Sequence, residues 1–90
     1  MIQTVMVVVS GKVQGVYYRQ STREKALELG LTGTVRNLPD GNVLIHASGP
    51  AAAVNQLIAW CRQGPSRAVV NSVQVETIEP AVFLGFTVLR

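Results

Sequence analysis

Gly33–Ser48 reads GTVRNLPDGNVLIHAS, and the order of elements around this stretch decides the fold. Gly33 to Leu38 is a short strand. Leu38-Pro39-Asp40-Gly41-Asn42 then supplies the turn chemistry of a hairpin, with Pro, Asp and Gly in one cluster. Val43 to Ser48 sets Val43, Ile45 and Ala47 against Leu44, His46 and Ser48, the period of a strand covered on one face. Upstream, Gln20 to Leu29 is rich in Arg, Glu, Lys, Ala and Leu and predicts a helix, with Gly30 suited to its C-terminal stop. Before it, Thr4 to Ser10 (TVMVVVS) is short, apolar and largely β-branched, the pattern of a buried strand. Downstream, Pro50 introduces a second helix from about Ala51 to Arg62. Val54, Leu57, Ile58 and Cys61 form one stripe at helical spacing, and Gly64-Pro65 ends the helix. Val69 to Ile78 alternates Val73, Val75 and Thr77 against Ser72, Gln74 and Glu76, a second half-covered strand. Phe83 to Leu89 is a last short strand after Pro80. The order is β-α-β-β-α-β, with room for a fifth strand. That order predicts an α+β fold, the ferredoxin-like split βαβ: an antiparallel sheet with both helices on one face. A right-handed crossover makes the first two strands parallel, and the third slots between them.

Composition narrows the function. Ninety residues, 48% of them apolar and 14% charged, make one compact domain over residues 1–90. A single Cys cannot close an intramolecular disulfide, and one Cys with one His cannot build a metal site unaided. No metal or other cofactor is therefore expected. The longest apolar run, Val5 to Val9, is far short of the roughly 20 residues of a membrane helix, and no signal peptide is visible. A cytoplasmic monomer without membrane attachment is the expectation. Net charge is +3, from few acids rather than many bases, and the eight Lys and Arg residues form no basic run. A nucleic-acid binder would gather them into a stripe; a small anionic ligand needs only one or two.

The segment between the first strand and the first helix carries the chemistry: Ser10-Gly11-Lys12-Val13-Gln14-Gly15-Val16-Tyr17-Tyr18-Arg19. Gly11 and Gly15 bracket a loop able to turn tightly and present backbone N–H groups. The helix start adds unpaired N–H groups and the positive end of its dipole, so the ensemble is a ready anion site. Arg19 brings a planar fork that matches two phosphate oxygens. Neither a Walker A loop nor a GxGxxG fingerprint is present. On physics alone the segment is equally a strand–helix turn with a surface Arg.

Asn37 ends the second strand. Taken alone it reads as an Asx cap on the following turn. Topology gives it a second reading, because the C-terminal ends of the first and second strands lie at one end of the sheet, about 9.5 Å apart. That gap has room for one phosphate and one water. An amide there can accept from the water and donate to a phosphate oxygen, positioning a nucleophile without being a base.

Gly11 to Arg19 resembles the acylphosphatase signature G-x-V-Q-G-V-x-[FY]-R. Gly33-Thr34-Val35-Arg36-Asn37, with Asp40-Gly41-Asn42-Val43 and Gly49, resembles that family's second signature. Gly64 to Val70 is similar to its link into the fourth strand. The resemblance implies hydrolysis of the acyl-phosphate bond of small metabolites. It makes Arg19 the phosphate-binding arginine, Asn37 the residue that orients the attacking water, and the N–H groups of Gln14, Gly15, Val16, Tyr17, Tyr18 and Arg19 the phosphate cradle. Two positions depart from the usual pattern: Thr34 replaces an aromatic residue and Tyr18 a Phe. Thr34 falls short of the site along its strand, which points to packing. The chemistry agrees with the match. A carboxylate leaving group needs no general acid, and the phosphate can take the proton of the attacking water, so positioning and charge stabilisation suffice.

Other residues read as structural. Glu24 and Glu28 share a helix face beside Arg23 and Lys25, a solvated surface. Glu76 and Glu79 lack a partner pattern, His46 is a lone strand histidine, Cys61 continues the core stripe, and Trp60 edges it. Lys12 and Arg23 add positive potential near the loop or are ordinary surface charge. The alternative function is a non-catalytic ferredoxin-like module for RNA or a regulatory anion. RNA binding on this architecture calls for aromatics on the open sheet face, and the chain has five aromatic residues in all, counting Phe, Trp and Tyr.

Overall fold

The computed structural model describes residues 2–90. The chain folds as β1 (Ile2–Lys12), α1 (Tyr18–Glu28), β2 (Thr32–Asn37), β3 (Val43–Pro50), α2 (Ala51–Cys61), β4 (Val69–Ile78) and β5 (Phe86–Leu89). The strands form one sheet in the order β4-β1-β3-β2-β5. β3 lies antiparallel between β1 and β2, Val7 facing Ile45 and Val35 facing the same Ile45 from the other side. The split βαβ expectation therefore stands, and two helices pack on the sheet.

The fifth strand changes the sheet from purely antiparallel to mixed. β5 pairs parallel with β2, from Gly33 opposite Phe86 to Arg36 opposite Leu89. Because β4 and β5 occupy opposite sheet edges, the segment between them crosses the sheet. Ala81 N–H donates to the buried Thr4 Oγ1 at 3.1 Å along that path. β5 is shorter than the run Phe83–Leu89 suggests, since it begins at Phe86 after Gly85.

The inward faces of three central strands supply the largest share of the core: Val5, Val7 and Val9, Val35, and Val43, Ile45 and Ala47. These pack against Ala26 of α1 and Val54, Leu57 and Cys61 of α2. The period-2 and period-3.6 patterns thus meet on one surface, which is what makes the layers adhere. β4 departs from the half-covered strand that its alternation predicts. Most of its residues are exposed and Val75 is 40% exposed. As the outermost strand it lies at the margin of the helix layer, so alternation there has little to bury against.

β1 runs past Ser10 to Lys12, which moves Gly11 from the loop into the strand. The β1–β4 register slips between Ser10 and Gly11. At this bulge a Cβ on Gly11 would lie 2.2 Å from the Val69 carbonyl oxygen, so only glycine lets the two backbones approach. The slip re-aims the chain as it leaves the sheet toward α1.

Candidate active site

The connection from β1 to α1 is the segment Val13–Tyr17. Val13 and Val16 are buried and anchor it to the core. Gly15 (φ 73°) and Tyr17 (φ 68°) are both left-handed. Left-handed residues in a tight loop turn successive N–H groups toward a common concavity. Tyr17 is also the N-cap of α1, and no side chain caps that helix. The N–H groups from Gln14 to Gln20 consequently have no acceptor among the described residues. The loop and the helix start border a pocket of about 230 Å³ lined by Gly15, Tyr17, Tyr18, Arg19 and Asn37, with Val13, Gln20 and Val88 around them.

Arg19 stands in the first turn of α1, and its Nη1 donates to the Leu89 carbonyl at 3.0 Å. One turn further, Arg23 Nε donates to the Phe86 carbonyl at 3.0 Å. The edge of β5 thus holds Arg19 in place and leaves the rest of its guanidinium to face the pocket. No feature of the motif itself announces this contact. The only sequence signal was the short apolar run after Pro80.

Asn37, the last residue of β2, lines the same pocket. Its Oδ1 is buried without a hydrogen-bond partner. Buried acceptors are nearly always satisfied, and this one has no partner among the protein groups described. The Asx role in the turn belongs instead to Asp40, whose carboxylate accepts from Asn42 N–H at 3.0 Å and Asn42 Nδ2 at 3.2 Å.

The Gln14 side chain performs a function that spacing did not show. Its Nε2 donates to Leu38 O at 2.9 Å and Asn42 O at 2.8 Å. It therefore clips the loop to the hairpin that carries Asn37. Of the six predicted cradle residues, Gly15, Tyr17, Tyr18 and Arg19 line the pocket, whereas Gln14 and Val16 do not.

Tyr18 is buried with its hydroxyl donating to Cys61 O at 2.7 Å and its ring 5.6 Å from that of Trp60. Burial raises the phenol well above its ordinary range. Burial also pushes the Cys61 thiol up to about 12. Both stay protonated and serve packing. Thr34 sits opposite His46 and Thr87 in the sheet, away from the pocket. His46 lies near Phe83, and Lys25 pairs with Glu28 at 3.5 Å on the surface of α1. No group of three or more His, Cys, Asp or Glu side chains gathers among the described residues, and no described helix is long and apolar enough to cross a membrane.

The loop, Arg19 and Asn37 line one pocket at one end of the sheet, and the Acylphosphatase family model matches residues 5–88. The chain belongs to the acylphosphatase family. It is 52% identical to the acylphosphatase of Methylococcus capsulatus over 90 residues, covering 99% of this chain and 98% of that one. The solved acylphosphatase of Coxiella burnetii superposes with a TM-score of 0.95 at 42% identity, covering 98% of this chain and 93% of that one. That of Bacillus subtilis gives 0.94 at 27% identity over the whole of both chains. Acylphosphatases are hydrolases of the carboxyl-phosphate bond, and this chain is an enzyme of that class. The similarity runs through both β4 and β5, so the mixed sheet is part of the family architecture.

Proposed function

We propose that the chain cleaves small acyl phosphates by direct attack of water on phosphorus, with the phosphate held on the Gln14–Arg19 amides and by Arg19, and the water oriented by Asn37. The observation that carries this reading is the buried, unpartnered Oδ1 of Asn37 in the same pocket as Arg19. That oxygen accepts a hydrogen bond from the water, while the amide nitrogen is free to donate to a phosphate oxygen.

The water oxygen forms the new P–O bond as the bond to the acyl oxygen breaks. The carboxylate departs with the electron pair, and the water's proton passes to a phosphate oxygen. The equatorial oxygens carry most of the charge in such a transition state. Arg19 and the loop amides are already aimed there, so little reorganisation is required as charge shifts. No side chain is required to give up or take a proton, in keeping with a pocket whose lining contains no carboxylate or imidazole side chain.

The proposal extends to a cytoplasmic monomer that needs no cofactor and does not bind nucleic acid. What supports the last of these is that the eight Lys and Arg residues form no basic run. Hydrolysis of benzoyl phosphate in heavy-oxygen water tests the mechanism. The label is expected in inorganic phosphate and absent from benzoate. Label in benzoate would mean attack at the carbonyl carbon and would discard the assignment of Asn37.

A further inference from the structure

Arg19 and Arg23 stand one turn apart on α1, and each donates to a carbonyl of β5: Arg19 Nη1 to Leu89 O and Arg23 Nε to Phe86 O, both at 3.0 Å. Residues four apart share a helix face, so the two arginines form a pair of rungs. The later arginine takes the earlier carbonyl, so helix and strand run in opposite senses across them. Two rungs fix what one leaves free. About a single hydrogen bond a helix can roll and slide, whereas two bonds from residues about 6 Å apart along its axis hold both. The buried residues of α1 are Tyr18, Thr22 and Ala26, a stripe one residue wide whose later members are small. An amphipathic helix ordinarily seats a broader apolar face. Packing therefore fixes the start of α1, through Tyr18, better than its roll one turn on. Phe86 is only 4% exposed, so its carbonyl is a firm point of attachment. Arg23 itself is exposed and does not line the phosphate pocket. The sequence left it as steering charge or ordinary surface charge; its hydrogen bond gives it a third role.

Resting on the site reading given above, we propose that Arg23 is a positioning residue. By tying α1 to Phe86 O it sets the roll of the helix at which Arg19 both reaches Leu89 O and presents its remaining N–H groups to phosphate. It acts through its Nε–H donor rather than through its charge.

Two variants of the full chain separate donor from charge. Arg23→Gln places an amide N–H at the same number of bonds from Cα as the arginine Nε and removes the charge. Arg23→Met keeps the chain length and removes both. Because residue 23 is exposed, neither variant opens a cavity in the core. Benzoyl phosphate serves as substrate and inorganic phosphate as inhibitor. Arg23→Met is expected to lower kcat/KM about tenfold and to raise the phosphate inhibition constant about three- to fivefold, the cost of a misplaced binding group. Arg23→Gln should stay within about twofold of the intact chain in both constants. These differences should persist in high salt, which screens a steering charge. A merely structural role would move the urea midpoint and leave phosphate inhibition of the folded protein unchanged. The proposal is overturned if Arg23→Met leaves both constants unchanged, if Arg23→Gln loses as much as Arg23→Met, or if kcat/KM falls without a change in phosphate inhibition. An intact chain that neither hydrolyses benzoyl phosphate nor is inhibited by phosphate would instead remove the site reading, and this inference with it.

Discussion

α1 and α2 are both 11 residues long, both lack a side-chain N-cap and both lack an acidic residue in the first turn. By the electrostatics of helix ends alone they are equivalent anion sites. They differ in how the chain arrives. α2 follows β3 without a break, Pro50 being both the last residue of the strand and the N-cap in an extended conformation. α1 is reached through the Val13–Tyr17 loop, whose left-handed residues bring extra N–H groups to the helix start. It also carries Arg19 in its first turn and faces Asn37 across the pocket. Among the described residues, the start of α1 is where a left-handed loop, an arginine and a strand-end asparagine line one pocket, which is the basis of the site proposed above.

Arg19→Ala should break the distinction most severely. It removes the cation and is expected to lower kcat/KM by at least about a thousandfold, with loss of inhibition by inorganic phosphate, measured by steady-state kinetics. Asn37→Ala leaves the anion cradle intact and removes the water's acceptor, so kcat should fall about a hundredfold while KM stays within about twofold. Retention of kcat would detach the open Oδ1 from the chemistry. Gln14→Ala cuts the clip between loop and hairpin. Activity should drop about tenfold, and unfolding in urea should show a loss of about 1 kcal/mol, since two partly buried carbonyls each lose one donor and keep a backbone one.

The contrast also has a pH signature at the other helix. Cys61 of α2 holds its proton in the fold to about 12, against an unfolded value near 8.5. The unfolded chain therefore releases a proton first, and stability should be complete below about pH 8.5 and fall as pH rises toward 12. Cys61→Ala, followed by urea unfolding across that range, should flatten part of the decline. The smallest effect belongs to Pro50→Ser, which offers α2 a side-chain cap. It should add up to about 1 kcal/mol of stability and leave kcat unchanged, because nothing at that end recognises substrate.

Legibility followed the range of the interactions. The strand and helix identities were visible because each depends on a local period, and the core residues Val5, Val7, Val9, Val43 and Ile45 obey it. The extra length of β1 was not visible, since the bulge at Gly11 arises from the backbone of Val69, far along the chain. β4 misled for the same reason: its alternation is real, but its place at the edge leaves Val75 and its neighbours uncovered. Tyr18 in place of Phe also became intelligible only in three dimensions, where Cys61 O accepts its hydroxyl.

By itself the sequence determined the order of elements, the family signature of the loop and the candidates Arg19 and Asn37. These rest on residue type and short spacing, which chain chemistry fixes locally. Only the tertiary structure decided that Asp40 takes the turn-capping role and that Asn37 Oδ1 has no partner among the described protein groups. It alone decided that Gln14 joins loop to hairpin and that β5 holds Arg19 through Leu89. Each of these is a hydrogen bond between groups distant in sequence or a choice between competing acceptors, and no local pattern encodes which partner is in reach.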